Sequence, residues 1–157
     1  MNYTFDKYQG TGNDFVIIDN RDLGFDKTNL KLVSSICDRK FGVGADGLIL
    51  IENNSEYDFE LIYFNADGTK SFCGNGSRCA VAFANYLGLI KDSTTFNAID
   101  GLHEAVISGN KVELKMGDVS KIEKGEDYFF IHTGSPHYIV FEENIHEIDI
   151  VPTAHKI

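Results

Sequence analysis

Residues 73–88 read Cys73-Gly74-Asn75-Gly76-Ser77-Arg78-Cys79-Ala80-Val81-Ala82-Phe83-Ala84-Asn85-Tyr86-Leu87-Gly88. From Ser77 onward this stretch combines strong helix formers with almost no charge, and it ends on a glycine suited to a C-cap. A helix that is apolar nearly all round is a buried helix, so the rest of the chain has to wrap it. Its N-terminus is fed by Cys73-Gly74-Asn75-Gly76. Glycines let such a loop turn tightly and expose its backbone N–H groups. The first N–H groups of a helix have no internal partner, and with the macrodipole they form a site for a carboxylate or phosphate. The same positive end favours the thiolate of a cysteine set there. One short segment could therefore hold an acid group and place a base beside it. A structural turn cysteine fits these residues as well, because free cysteines are usually buried and inert. Cys79, inside the helix on an apolar surface, reads as core.

Outward from this helix the signals are mostly β. Tyr3 to Gln9 and Phe15 to Asp19 read as strands joined by the turn Gly10-Thr11-Gly12-Asn13. Leu30, Val33, Ile36, Cys37 and Phe41 share one face at helical spacing, capped by Thr28 or Asn29, which makes Cys37 a core residue. Leu48 to Glu52 and Phe59 to Asn65 are β-rich. After Thr94, short β-like runs recur at 95–99, 103–107, 111–116, 129–133 and 138–141. The polar stretch Gly117 to Asp127 reads as a connection between two lobes. The fold class expected is α+β, a curved antiparallel sheet around one buried central helix.

The 157 residues suffice for a domain with its own core, and 43% hydrophobic with 24% charged is a soluble, globular composition. A net charge of −10 with no basic stretch excludes nucleic acid as the expected partner. No stretch is long and apolar enough to span a membrane. The first residues lack the charged and apolar regions of a signal peptide. With three cysteines, Cys37, Cys73 and Cys79, this predicts free thiols in the cytoplasm. Their spacing does not make a zinc site, so no metal is expected.

Gly42-Val43-Gly44-Ala45-Asp46-Gly47 matches the G-x-G-x-x-G dinucleotide fingerprint. The context is reversed: a helix precedes it and a strand follows, whereas pyrophosphate binding needs strand, turn, then helix. It reads as a glycine-rich helix-to-strand turn needing positive φ values.

Gly10-Thr11-Gly12-Asn13-Asp14-Phe15, Gly42 to Gly47, Phe64-Asn65-Ala66-Asp67-Gly68 and Cys73 to Cys79 together resemble the successive N-terminal motifs of diaminopimelate epimerases, in that family's order and spacing. The resemblance runs from residue 3 to about residue 141. It implies a diaminopimelate-epimerase-like lobe over 1–118 and the truncated beginning of a second over 119–157. It implies an isomerase that interconverts LL- and meso-diaminopimelate in lysine biosynthesis, without pyridoxal phosphate or metal, by a two-cysteine acid/base mechanism. Cys73 matches one of the two cysteines. Gly74 and Asn75 match the backbone donors for the substrate carboxylate, and Asn13 and Asn65 match asparagines that hydrogen-bond the substrate. As bare residues, both asparagines are equally turn formers.

The loop Gly134-Ser135-Pro136-His137 resembles the family's Gly-Asn-Pro-His loop, with Ser135 replacing the usual asparagine. The resemblance implies substrate contacts from Ser135 and His137. A histidine after proline near a strand is also commonly structural. Gly47 stands where some members carry a polar side chain. The second cysteine loop is absent, so the chain alone is expected to be inactive and to need the missing C-terminal lobe. A homodimer is compatible with this reading. The rival readings are another amino-acid racemase or isomerase of the same fold (proline-racemase-like or phenazine-biosynthesis-like) and a non-catalytic amino-acid-binding module.

Overall fold

A computed structural model describes residues 2–155; Met1 and residues 156–157, the outer ends of the two expected lobes, lie outside the described residues. The chain divides into two units, Met1–Gly117 and Asp118–Ile157.

The first unit holds seven strands, β1 (Asp6–Gly10), β2 (Asn13–Asp19), β3 (Gly47–Glu52), β4 (Phe59–Asn65), β5 (Ser93–Ala98), β6 (Gly101–Ser108) and β7 (Lys111–Leu114), paired in chain order in one sheet. Two helices accompany it, α1 (Leu30–Cys37) and α2 (Gly74–Tyr86). Helix α2 touches strands at both ends of the sheet, β1 and β7, and β2, β3, β4 and β6 between them. One straight rod can meet both edges of a seven-stranded sheet only if the sheet curls around it. The expected architecture, a curved sheet on a central helix, is therefore what forms.

The sheet, expected to be antiparallel, is mixed. β2 runs parallel to β3, and β4 parallel to β5; the remaining neighbours are antiparallel. Each parallel pair is joined by a crossover carrying a helix, α1 in the first and α2 in the second, which returns the chain to the end it started from. In β2 and β3 the apolar run is continuous because both faces are covered. Phe15, Ile17, Ile49 and Ile51 pack on the α2 side. Val16, Ile18, Leu48 and Leu50 pack on the α1 side with Val33 and Cys37. β6, in contrast, alternates buried and exposed residues, so one of its faces meets solvent.

Cys37 and Cys79 are core residues, as expected. Helix α1 is capped by Asn29, whose side chain accepts from the Leu32 N–H, but it stops at Cys37. Phe41 is 92% exposed and does not belong to the helical face. The helix is ended by Asp38, whose carboxylate accepts the N–H groups of Lys40 and Phe41 and so offers them an alternative to the helical ladder.

The second unit contains β8 (Ile122–Lys124), β9 (Phe129–His132) and β10 (Pro136–Ile139) as one antiparallel sheet, then a 3₁₀ turn (Ile145–Glu147) and α3 (Ile150–Ala154). β8 lies within the polar stretch expected to be a plain connection. All three of its residues are exposed, so no apolar periodicity announced it.

Candidate active site

Helix α2 begins earlier than its apolar run, at Gly74, and Cys73 is its N-cap. Cys73 has extended backbone angles, φ −131° and ψ 108°, and its Sγ accepts the Gly76 N–H at 3.3 Å. This is the geometry of a capping side chain, with sulfur in place of the usual oxygen. The sulfur therefore sits at the electropositive mouth of α2, and Cys73 is only partly buried. A Cβ on Gly76 would lie 3.4 Å from Ile49 and 3.5 Å from Cβ of Cys73, in ordinary packing contact.

The hairpin joining β1 to β2 delivers Asn13. Thr11 and Gly12, its two central residues, both have positive φ (57° and 85°), the twist that two-residue hairpins prefer. A β-branched threonine is rarely found there. Its hydroxyl is anchored to the Gly10 carbonyl at 2.6 Å and also reaches Asn75 Oδ1 at 3.2 Å. The register then puts Asn13 opposite Gly10 and over α2. Asn13 Oδ1 accepts from the Cys73 thiol at 3.7 Å and from Asn75 Nδ2 at 3.3 Å. Asn13 Nδ2 donates to Asp46 Oδ2 at 2.7 Å. Asn75 Oδ1 accepts in turn from the Arg78 guanidinium.

Behind Asn13 lies a set of ion pairs. Arg39 bonds Asp14 at 2.7 Å and Asp46 at 2.8 Å, and Lys7 bonds Asp14 at 2.6 Å. The Arg39 guanidinium holds the Asp14 carboxyl well below the usual range, with Lys7 adding to it. The hydrogen bond from Asn13 is the main cause lowering Asp46, supported by Asp14 N–H and Arg39.

Asn65, at the end of β4, is held separately. Its Oδ1 accepts the Tyr63 hydroxyl at 3.0 Å, and its Nδ2 donates to Thr69 Oγ1 at 3.0 Å and Ser71 Oγ at 3.3 Å. Burial first, then the neighbouring Cys73, raises the Tyr63 hydroxyl far above its ordinary value. Tyr63 thus neighbours both Asn65 and Cys73.

Cys73, Gly74, Asn75 and Asn13 are brought together directly, and Asn65 joins them through Tyr63. Ser135 and His137 belong to the second unit, in and just after the turn between β9 and β10. His137 Nε2 lies 2.8 Å from Thr133 Oγ1, and the Ser135 carbonyl accepts from the Thr133 N–H at 3.0 Å. Sequence reasoning passed over Asp46, Arg78, Thr11 and Tyr63. Asp46, Arg78 and Thr11 sit inside the motifs themselves, and for the first two a charged residue among glycines and amides was a usable signal; Tyr63 looked like any other strand aromatic.

Of the glycine-rich turn, Gly44 alone has a positive φ, 80°. Gly42 and Gly47 are there for space instead. A Cβ on Gly42 would meet Ser35 O at 2.0 Å, and one on Gly47 would meet Tyr63 at 2.5 Å and Phe64 O at 2.6 Å. The turn joins α1 to β3, so it is no dinucleotide cradle. A cavity of about 680 Å³ lies on β5–β7 beside Glu104, Val106, Glu113 and Lys115, and none of the site residues lines it. Among the described residues no three His, Cys, Asp or Glu side chains are grouped as metal ligands, and no helix is long and apolar enough to cross a membrane.

A diaminopimelate epimerase of Flavobacterium psychrophilum is 51% identical over 153 residues, covering 96% of this chain and 60% of that protein. One of Aquifex aeolicus is 38% identical over 173 residues, covering 98% and 62%. The chain thus spans about three-fifths of the length of these curated relatives. Among solved structures, a phenazine biosynthesis protein of the PhzF family from Bacillus anthracis superposes with a TM-score of 0.65 at 15% identity, covering 88% of this chain and 54% of that one. A probable proline racemase from Agrobacterium radiobacter gives 0.62 at 15% identity, covering 92% and 54%. These likenesses show the shared fold. The family match runs over residues 5–122, most of the first unit and every residue of the Cys73 cluster; the chain belongs to the diaminopimelate epimerase family.

Proposed function

We propose that this chain supplies one half of the catalytic apparatus of a diaminopimelate epimerase, with Cys73 as one of two acid/base cysteines. The observation that carries the reading is the position of Cys73 Sγ, which caps α2 at 3.3 Å from the Gly76 N–H and is partly open. A carboxylate at this helix end would meet the N–H groups of Gly74 and Asn75, which have no intrahelical partner. Those donors would stabilise the charge that develops when the α-proton leaves. Cys73 takes or gives that proton on one face of the α-carbon. Inversion needs a second thiol on the opposite face, and neither buried Cys37 nor buried Cys79 can serve.

In this reading Asn13 and Asn65 orient the substrate, and Ser135 and His137 contribute contacts from the beginning of the second lobe, 119–157. The reaction needs neither pyridoxal phosphate nor metal, belongs to lysine biosynthesis in the cytoplasm, and requires a second lobe that brings the other cysteine.

The test has two arms. Titration of the chain with meso-diaminopimelate and with proline separates the family's substrate from that of a related fold; tighter binding of diaminopimelate is expected, and preference for proline would contradict the assignment. Incubation with LL-diaminopimelate in deuterated solvent should give no inversion above that of Cys73→Ala. Inversion by the isolated chain at the rate of the Flavobacterium psychrophilum relative would overturn the two-cysteine reading.

A further inference from the structure

The residues around Cys73 form a directed chain of hydrogen bonds with a charged group at each end. At one end Arg78 donates to Asn75 Oδ1; Asn75 Nδ2 donates to Asn13 Oδ1 at 3.3 Å; Asn13 Nδ2 donates to Asp46 Oδ2 at 2.7 Å. An asparagine side chain can face its neighbours either way round, because its oxygen and nitrogen have the same shape. Here the end groups leave no choice. A guanidinium has donors only, so Asn75 must turn its oxygen toward Arg78. A carboxylate has acceptors only, so Asn13 must turn its NH₂ toward Asp46. Arg39 holds the other oxygen of Asp46 at 2.8 Å, and the Asp14 N–H reaches Oδ2 at 3.2 Å, which together lock the carboxylate's own direction.

From this we propose that Asp46 and Arg78 are positioning residues for the reaction: they fix the amides of Asn13 and Asn75 so that Asn13 presents its carbonyl oxygen, and not its NH₂, to the Cys73 sulfur. The consequence for chemistry is specific. Cys73 Sγ accepts from the Gly76 N–H and donates its own proton to Asn13 Oδ1. Its S–H direction is therefore set before substrate arrives, and the proton has one defined starting place. With Asp46 gone, only the Asn75 NH₂ at 3.3 Å still holds the Asn13 amide, and a half-turn that offers NH₂ to the sulfur and to any ligand beside it becomes easier. Chains of this kind strengthen one another, so removing either charged end is felt at the far amide.

The inference rests on the diaminopimelate reading, and its test is built so that the two fail differently. In the unaltered chain, labelled with ¹⁵N, the Asn13 side-chain NH₂ protons should show nuclear Overhauser contacts to Cβ protons of Asp46 and none to those of Cys73. Contacts to Cys73 would overturn the proposal, with no variant involved. Asp46→Ala should then weaken meso-diaminopimelate binding about tenfold, the loss expected for one hydrogen bond to a charged group. In the Asn13→Ala background the same substitution should change binding by less than about twofold, since the residue acts through Asn13. An equal loss in both backgrounds marks a merely structural role and overturns the proposal. If the unaltered chain does not bind diaminopimelate, the functional reading fails, while the amide contacts still decide the role of Asp46.

Discussion

Gly47 opens β3 beneath the site, and its importance is spatial. Its φ is not in the left-handed region, yet a Cβ there would press on the Tyr63 ring and on the Phe64 carbonyl, which is backbone and cannot step aside. Gly47→Ala is expected to cost about 1–3 kcal/mol, the usual range for forcing atoms into a packed interior. Urea unfolding measures it, and an unchanged midpoint would show that Tyr63 moves without penalty. Because Tyr63 donates to Asn65, the same change displaces an amide of the site. At this scale the sequence was informative about which residues carry chemistry and uninformative about their directions. Cys73 and Asn13 stood in recognisable motifs. That Asn13 faces sulfur with its oxygen depends on Asp46, thirty-three positions away in the chain, and no local pattern encodes such a choice.

The Lys7, Asp14, Arg39 and Asp46 network ties β1, β2 and the turn after α1 into one piece. Asp14 is held well below the usual carboxylate range, by Arg39 first. A carboxylate with a depressed folded value adds stability above its unfolded value, about pH 4, and loses it as pH falls through the folded value. Unfolding by urea should therefore show stability declining below about pH 4, and Asp14→Asn should flatten that decline. Arg39 is largely exposed, so the contribution is modest and should shrink further in salt. An acid limb unchanged by the substitution would remove Asp14 as its source. The elements themselves were legible wherever burial imposed a period: β2, β3, β4 and α2 followed from apolar runs. The parallel pairings of β2–β3 and β4–β5 were missed, although a helix lying between two apolar strand runs was a usable signal for each. β8 was invisible because three exposed residues carry no period. Phe41 was misplaced because helical spacing continues past Cys37 although Asp38 ends the helix.

Across the whole molecule, curling one sheet around α2 sorts the three thiols by reach. Cys37 lies in the core on the α1 face and Cys79 in the core on the α2 face, and burial pushes both thiols up to about 11. Cys73, six residues before Cys79 on the same helix, is left at the open end. The fold thus separates one cysteine from two that share its chemistry but not its access, and this separation is what the proposed acid/base role requires. The measurement that tests it most directly is the rate of iodoacetamide alkylation at each cysteine of the native chain, read by mass spectrometry, with and without meso-diaminopimelate. Cys73 should react well ahead of Cys37 and Cys79, and diaminopimelate should slow that site alone. Slow, uniform modification of all three, indifferent to diaminopimelate, would contradict the account.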